Sequence, residues 1–395
     1  MSIRIGVDFR AALAHPCGIA RYARELARGL LDLREDLQLV LYAATRFGSV
    51  ADRIPRAIRE HPRVELIERR LPARALRALS FLPGFSLQKI TGKLALLHHT
   101  DLTYLPSQGI PEVVTVHDLA YEVSDGFHED DFRAKVGQRV RAAVHRARAI
   151  VVPSQHTYAD LVERYGVDPA RIRVIPHGVD HVLRRPEEVD ESCNNILQPD
   201  FFRRRYILHV GTIEPRKNLV RLLQAFDQAC GRGVESDLVL AGPRGWMTEE
   251  FDATLSRCRH RDRVHQLGAV AESTLRELYR GAEIAAYPSL YEGYGLPIVE
   301  AMALGVPVLT SNRSSMVEVA GGAAELVDPE DVDALAYGLE HLLTDEELRQ
   351  RRGDEGLRRT RDLTWKNTAR ETWKLYRDLL TGAIAPPPLT RSADR

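Results

Sequence analysis

Positions 287–310 read YPSLYEGYGLPIVEAMALGVPVLT, and two carboxylates in this stretch, Glu292 and Glu300, stand with seven residues between them around a glycine-bearing turn. Pro297 sits where a first-turn proline opens a helix. The spacing predicts Glu292 on the loop and Glu300 in the first turn of that helix. The backbone amides of Gly295, Leu296 and Ile298 are expected to face outward between them, with Tyr294 in the turn. A helix start preceded by glycine binds anions well, because unpaired N–H groups and the helix dipole act in the same direction. An anion cradle with a carboxylate on each side suits a molecule with a phosphate centre and a hydroxyl-bearing group at each end. A nucleotide sugar is such a molecule.

A second block, Gly211-Thr212-Ile213-Glu214-Pro215-Arg216-Lys217-Asn218, follows a strand pattern and opens a helix pattern. Arg216 and Lys217 are placed to meet a diphosphate. A departing nucleoside diphosphate gains negative charge as its bond to the sugar breaks, and fixed cations aimed there favour the transition state over the ground state. A third turn, Phe9 to Tyr22, carries Gly18 ahead of a helix pattern; it contains no GxGxxG, so the nicotinamide-binding fingerprint is absent. His117 ends the strand pattern Val113–Val116, and the adjacent Asp118 could orient its imidazole or bind an acceptor. Asp331-Val332-Asp333 has the spacing of a metal-binding DxD. A helix cap followed by a first-turn acid accounts for it, so no metal is expected. Neither a Ser-His-Asp triad nor a P-loop is present.

These residues need a frame, and the hydrophobic pattern supplies one. Strand patterns at Ile3–Phe9, Leu37–Ala43, Val64–Ile67, Leu102–Leu105, Glu112–His117, Ala149–Pro153 and Arg173–Ile175 alternate with helix patterns such as Gly18–Leu33 and Phe132–Ala147. A second series runs Tyr206–Gly211, Leu238–Ala241, Val264–Leu267, Ile284–Tyr287, Val308–Ser311 and Ala324–Val327, with helices such as Lys217–Gly231 and Ser273–Gly281 between. Such alternation predicts two α/β domains with doubly wound parallel sheets. Ligands would then lie at the carboxyl ends of the strands, in a central cleft. The charged stretch 184–205, with Pro186, Pro199 and an Asn-Asn pair, is the expected linker. The expected division is a first domain over 1–183, a second over 206–362, a helix over 363–382 and a disordered tail over 383–395.

The 395 residues suffice for two domains, and 44% are hydrophobic, enough for a core in each. Lys plus Arg and Asp plus Glu number 55 each, so overall charge offers no footprint for nucleic acid. The four cysteines show no ligand spacing, and MSIRIGVDFR reads as a strand and not as a signal peptide. A cytoplasmic protein with reduced thiols is expected. Residues 69–93 mix basic residues with leucines and phenylalanines and contain no acid. This patch is expected to meet the inner membrane surface or a lipid-linked acceptor.

The Glu292–Ala303 block resembles the EGFGLPxxEA signature of retaining GT-B glycosyltransferases, the glycogen-synthase-like family 4. The likeness continues through Gly305, Pro307-Val308 and Val327-Asp328-Pro329. GxxEPRKN resembles the phosphate-binding loop of that family, and HGVD at 177–180 resembles its NGVD turn. The resemblance implies two Rossmann-like domains facing a cleft, with a C-terminal helix crossing back to the first. It implies Glu292 at the sugar hydroxyls and the oxocarbenium charge, Glu300 at the ribose and Arg216 with Lys217 at the diphosphate. It further implies His117 at the donor sugar, and Gly18 at the donor phosphate or the acceptor. The loops Gly242-Pro243-Arg244-Gly245 and Leu267-Gly268-Ala269-Val270 would hold the nucleobase, largely through backbone atoms. Many members carry an arginine directly after the glycine where this chain has Thr212, which shifts the load towards Arg216. The family account is front-face attack, with the leaving phosphate helping to deprotonate the acceptor, and with cations and a helix dipole in place of a metal. EPRKN and HD are most similar to bacterial polysaccharide mannosyltransferases, so GDP-mannose is the expected donor and no cofactor is expected. A UDP- or dTDP-sugar transferase, a UDP-sugar epimerase of the same fold and a non-catalytic nucleotide-sugar binder are the alternatives. The intact Glu292, Glu300, Arg216 and Lys217 set stands against the last.

Overall fold

The computed structural model describes residues 2–13, 18–44, 54–69, 87–101, 109–124, 126–127, 130–184 and 204–383. The strand expected at Leu102–Leu105 and the tail after Ala383 lie outside these, as do nearly all of the linker and most of the basic patch. Two compact units emerge. One comprises Met1–Glu122, Asp130–Gly178 and Trp365–Arg395; the other comprises Val123–Glu129 and Val179–Thr364.

In the first unit seven parallel strands form one sheet: β1 (Ile3–Asp8), β2 (Leu37–Ala44), β3 (Val64–Arg69), β4 (Leu96–His99), β5 (Glu112–Thr115), β6 (Ala149–Val152) and β7 (Ile172–Val174), in the order β3-β2-β1-β4-β5-β6-β7. The inner strands β4, β5 and β6 are buried on both faces, as in a sheet covered by helices on each side. The Gly18–Leu33 helix buries Tyr22, Ala23, Leu26 and Leu30 and packs against the Trp365–Leu380 helix. Close approach needs Gly29, where a Cβ would lie 2.9 Å from Ala369 Cβ and 3.0 Å from Trp365 O.

The second unit repeats the plan with β8 (Tyr206–Val210), β9 (Asp237–Ala241), β10 (Val264–Gly268), β11 (Ile284–Tyr287), β12 (Val308–Ser311) and β13 (Glu325–Val327), all parallel, in the order β10-β9-β8-β11-β12-β13. In each sheet the strand order reverses beside the first strand, between β1 and β4 and between β8 and β11. That reversal opens a crevice at the carboxyl ends of the strands. The loops carrying Arg216 and Glu292 leave β8 and β11, the two strands flanking the second reversal.

One strand lies where no strand pattern was read, and a further expectation needs correction. The additional strand is β4, Leu96–His99, a segment that carried no strand signal because its apolar positions are leucines and it ends in two histidines. The second segment of the first unit closes at Gly178, where Val179 and Val182 join the second core and Val179 N donates to Leu363 O (2.9 Å). Glu300 falls in the second turn of the Leu296–Ala303 helix, which has no acid in its first turn. Among the described residues no helix is long and apolar enough to cross a membrane.

Candidate active site

In the second unit the chain leaves β8 through Gly211 and closes a 3-10 turn over Pro215–Lys217, which fixes Arg216 and Lys217 side by side. Asn218 follows in the left-handed region (φ 61°). Its amide group donates to Pro288 O (3.1 Å) and Pro329 O (2.6 Å), tying three loop ends together. Leu290 N donates to Arg216 O (2.9 Å), so the loops after β8 and β11 are bonded directly. The backbone of Glu292 is held by Ser314 and Ser315, whose hydroxyls donate to its carbonyl at 2.6 and 2.8 Å.

Both cations turn onto Glu292. Lys217 Nζ lies 2.6 Å from Glu292 Oε1, and Arg216 Nη1 lies 2.6 Å from Oε2. Arg216 also pairs with Glu214 at 2.7 Å, and Lys217 donates to the Tyr287 hydroxyl. Two acids and two bases therefore balance, with Glu292, Glu214 and Lys217 all buried. Burial alone would raise the Glu292 carboxyl; the Arg216 and Lys217 charges outweigh it and hold the group down at about 2. Desolvation lowers Lys217, opposed by Glu292. His209 stacks on Tyr287 with ring centroids 5.2 Å apart, and its Nδ1–H donates to Ala286 O (3.0 Å). Burial pushes this imidazole down to about 4, so it is neutral at physiological pH.

The other end of the constellation is the Leu296–Ala303 helix. Gly295 precedes it with φ 92°, which only glycine adopts freely. The Ile298 amide closes a turn onto Gly295 O (3.0 Å), so it does not face outward as expected and the cradle narrows to Gly295 and Leu296. Glu300 is 1% exposed, and both its oxygens are engaged: Oε1 with His181 Nε2 at 3.0 Å, Oε2 with the Tyr279 hydroxyl at 2.9 Å. A carboxylate oxygen carries two lone pairs, so each retains capacity for a further donor. Tyr294 is buried at the turn, Thr212 is half-buried in the β8 loop, and Val270 packs against the second core after β10.

The first unit collects histidines. His117 Nε2–H donates to Thr100 O (2.9 Å), and its ring meets Tyr22 edge to face at 4.9 Å. The bond to a carbonyl fixes the proton on Nε2 and leaves Nδ1 an acceptor. Desolvation lowers the pKa of His117. His177, from the HGVD turn, stacks on Trp365 at 5.9 Å. His98 bridges the Tyr376 hydroxyl (2.5 Å) and Thr115 Oγ1 (2.8 Å), and burial drives it to about 3. His99 lies 3.8 Å from both Asp8 and Glu112; burial lowers it, but the two carboxylates more than compensate and it ends raised. Gly18 is the exposed first residue of its helix. Asp331 caps the Val332–Thr344 helix by accepting from Ala334 N (3.0 Å).

The structure thus brings Arg216, Lys217 and Glu292 into one cluster and places Glu300 one helix turn beyond Gly295. Sequence reasoning missed the residues that hold them. Glu214 and Asn218 lay inside the recognised block and could have been found there. Tyr287, His181, Tyr279, Ser314 and Ser315 carry no signal in a single sequence, because each becomes relevant only when distant loops meet.

Comparison with known proteins bears on the same regions. A family model described as Glycosyl transferases group 1 matches residues 199–359, and one described as Glycosyltransferase Family 4 matches residues 16–183. The chain is 30% identical to the O-antigen chain mannosyltransferase B of Escherichia coli, over 91% of this chain and 96% of that protein. It is 30% identical to an MMP alpha-(1->4)-mannosyltransferase of Mycolicibacterium hassiacum, over 72% of this chain and 70% of that one. Among solved structures, a sucrose-phosphate synthase from Thermosynechococcus elongatus shares the fold with a TM-score of 0.71 at 21% identity, covering 96% of this chain and 100% of that chain.

Proposed function

Because this chain belongs to the group 1 glycosyltransferases, with a family 4 domain on its N-terminal side, we propose that it transfers mannose from GDP-mannose, with retention, to a hydroxyl of a glycan or lipid-linked acceptor in polysaccharide synthesis. The observation that carries this reading is the convergence of Arg216 and Lys217 on Glu292 beside the Gly295 helix start. Cations, amides and a carboxylate meet there at the strand-order reversal of the second sheet. The choice of mannose draws on the likeness to the two mannosyltransferases.

In this reading Arg216 and Lys217 exchange part of their pairing with Glu292 for the diphosphate and stabilise it as it leaves. Glu292, released from one partner, accepts sugar hydroxyls and faces the oxocarbenium-like charge. Glu300, steadied by His181 and Tyr279, binds the ribose hydroxyls. His117 offers Nδ1 to a sugar hydroxyl. The leaving phosphate takes the proton of the attacking acceptor hydroxyl on the same face. In this reading no metal takes part, and Asp331 serves as a helix cap.

The test is a thermal-shift and calorimetric screen of GDP, UDP and dTDP with their hexose donors, followed by product analysis with EDTA present. GDP should stabilise the protein most, and GDP-mannose should give a product of unchanged anomeric configuration. Preference for UDP or dTDP would move the donor assignment, and an inverted product would overturn retention. Nucleotide-sugar binding without turnover would mark a binding protein, and loss of activity on chelation would return the metal question to Asp331 and Asp333.

A further inference from the structure

β9 ends in the turn Gly242-Pro243-Arg244-Gly245-Trp246-Met247, which is locked onto the loop that carries the phosphate-binding cations. Ile213 N donates to Pro243 O (3.0 Å) and Gly245 N to Ile213 O (3.1 Å). Only glycine fits at 245, where a Cβ would lie 2.6 Å from Thr212 Cγ2 and 2.7 Å from Ile213 O. At 242 it would lie 2.0 Å from Gly211 O. Met247 is held at φ 52°, a region that disfavours a side chain by about 1–2 kcal/mol.

What this strained turn presents is an aromatic face. Trp246 is 39% exposed and Met247 44% exposed, whereas a tryptophan is ordinarily well buried. The indole N–H is already satisfied, donating to Phe127 O at 2.8 Å. The ring is thereby fixed in orientation, with its π surface as its contribution to a ligand. Strain that fixes an exposed side chain at the carboxyl end of a sheet is a mark of function. Nearby, Arg244 pairs with Asp252, and both are about half exposed. A charge-balanced pair of this kind offers donors and acceptors to hydroxyls without attracting a phosphate. An apolar platform flanked by such a pair matches a pyranose, which has a C–H face and a rim of hydroxyls.

We infer that Trp246 is a stacking platform for a sugar of the acceptor glycan, one or more units removed from the residue that is glycosylated. Through the Ile213–Arg244 bridge, Trp246 is at most about 25 Å along the chain from Arg216, a span of a few sugar units. Trp246 is a positioning residue for a long acceptor and takes no part in the bond exchange. This assignment rests on the mannosyltransferase reading for its choice of probe.

The experiment uses the full chain as wild type, Trp246→Ala and Trp246→Phe, with α-linked manno-oligosaccharides of one to four residues and, separately, GDP. The tri- and tetrasaccharide should shift the tryptophan emission of the wild type but not of Trp246→Phe, while GDP should leave the Trp246 signal unchanged. As an acceptor, the tetrasaccharide should show a KM raised roughly tenfold in Trp246→Ala and less in Trp246→Phe, which keeps a ring. The KM for GDP-mannose and for the monosaccharide should change by less than about twofold. GDP perturbing Trp246 when the glycans do not would give the ring to the nucleotide and overturn the proposal. So would a KM change independent of acceptor length, or no wild-type response to any manno-oligosaccharide. Failure of GDP to bind the wild type calorimetrically would instead sink the donor assignment, and the glycan titration would still decide the role of Trp246.

Discussion

The two units share one plan of parallel sheet and strand reversal, yet the side chains gathered around Glu292 in one and around His117 in the other differ in chemistry. The second unit gathers fixed charge: Arg216, Lys217, Glu214 and Glu292 form a buried, balanced quartet. Around His117 the first unit gathers rings and hydroxyls instead, with His98, His177, Tyr22 and Thr115 in contact and the three imidazoles held neutral by burial. A charged crevice suits a substrate whose charge grows during reaction. A neutral hydrogen-bonding cluster such as that around His117 suits hydroxyls, whose exact number and direction matter more than their potential; the Asp8–Arg10 pair lies in the same unit. The charged site is paired within the protein itself, so in the proposed reading an incoming diphosphate must compete with Glu292 for its own cations.

The sharpest break in that contrast comes from removing a cation. Lys217→Ala and Arg216→Ala should each lower kcat/KM by at least ~100-fold, the scale of a lost transition-state charge contact. Lys217→Ala should also cost about 3 kcal/mol of stability, because the buried Glu292 loses one of its two partners. Steady-state kinetics and urea unfolding of the same preparations check both effects. Near-normal kinetics in both variants would remove the phosphate assignment.

The glutamates sharpen the comparison. Glu292→Gln keeps the shape but releases Arg216 and Lys217 from a competing carboxylate. It should depress kcat while tightening the free nucleoside diphosphate roughly tenfold, since the anion no longer competes with an internal one. Glu300→Gln should act the other way, weakening the nucleoside diphosphate by roughly tenfold through lost charge-assisted bonds worth about 1.5–3 kcal/mol each. Calorimetry on both variants decides. Weakened binding in Glu292→Gln would show that the observed ion pairs do not compete with phosphate.

The sequence made the larger architecture legible because period and composition reported it: strands such as Ile284–Tyr287 and Val308–Ser311, buried on both faces, are found where they were expected. β4 was not legible, since two of its four residues are histidines. Their burial depends on Tyr376, Thr115, Asp8 and Glu112, all remote in sequence. The acids and bases of the second unit were named from their block, but their mutual pairing was not. Nothing in the spacing of 216, 217 and 292 says that two cations will turn onto one carboxylate. Glu300 was expected at the ribose hydroxyls, and its added engagement with His181 and Tyr279 depends on a turn and a helix that pattern alone cannot dock.

The smallest effect tests the neutral side of the contrast. A histidine whose folded pKa lies below its unfolded value of 6.5 contributes stability that is complete above pH 6.5 and is lost as pH falls. His98, His117 and His177 all behave so in the first unit, and desolvation of His61 and His145 adds in the same direction. His99 is raised, so its contribution is full below pH 6.5 and drains only as pH rises. In the second unit His209 titrates the same way, at about 4, and Glu292 keeps its contribution until pH falls below 4.5. Lowering the pH from 7 to 6 should therefore destabilise the first unit more than the second, since more of its imidazoles are lowered by burial. Urea unfolding at both pH values, read by peptide-resolved hydrogen-exchange pulses at a common labelling pH, separates the two. An equal loss in both units would mean that the imidazoles around His117 gain protons without strain, and that the first crevice is wetter than its hydrogen bonds imply.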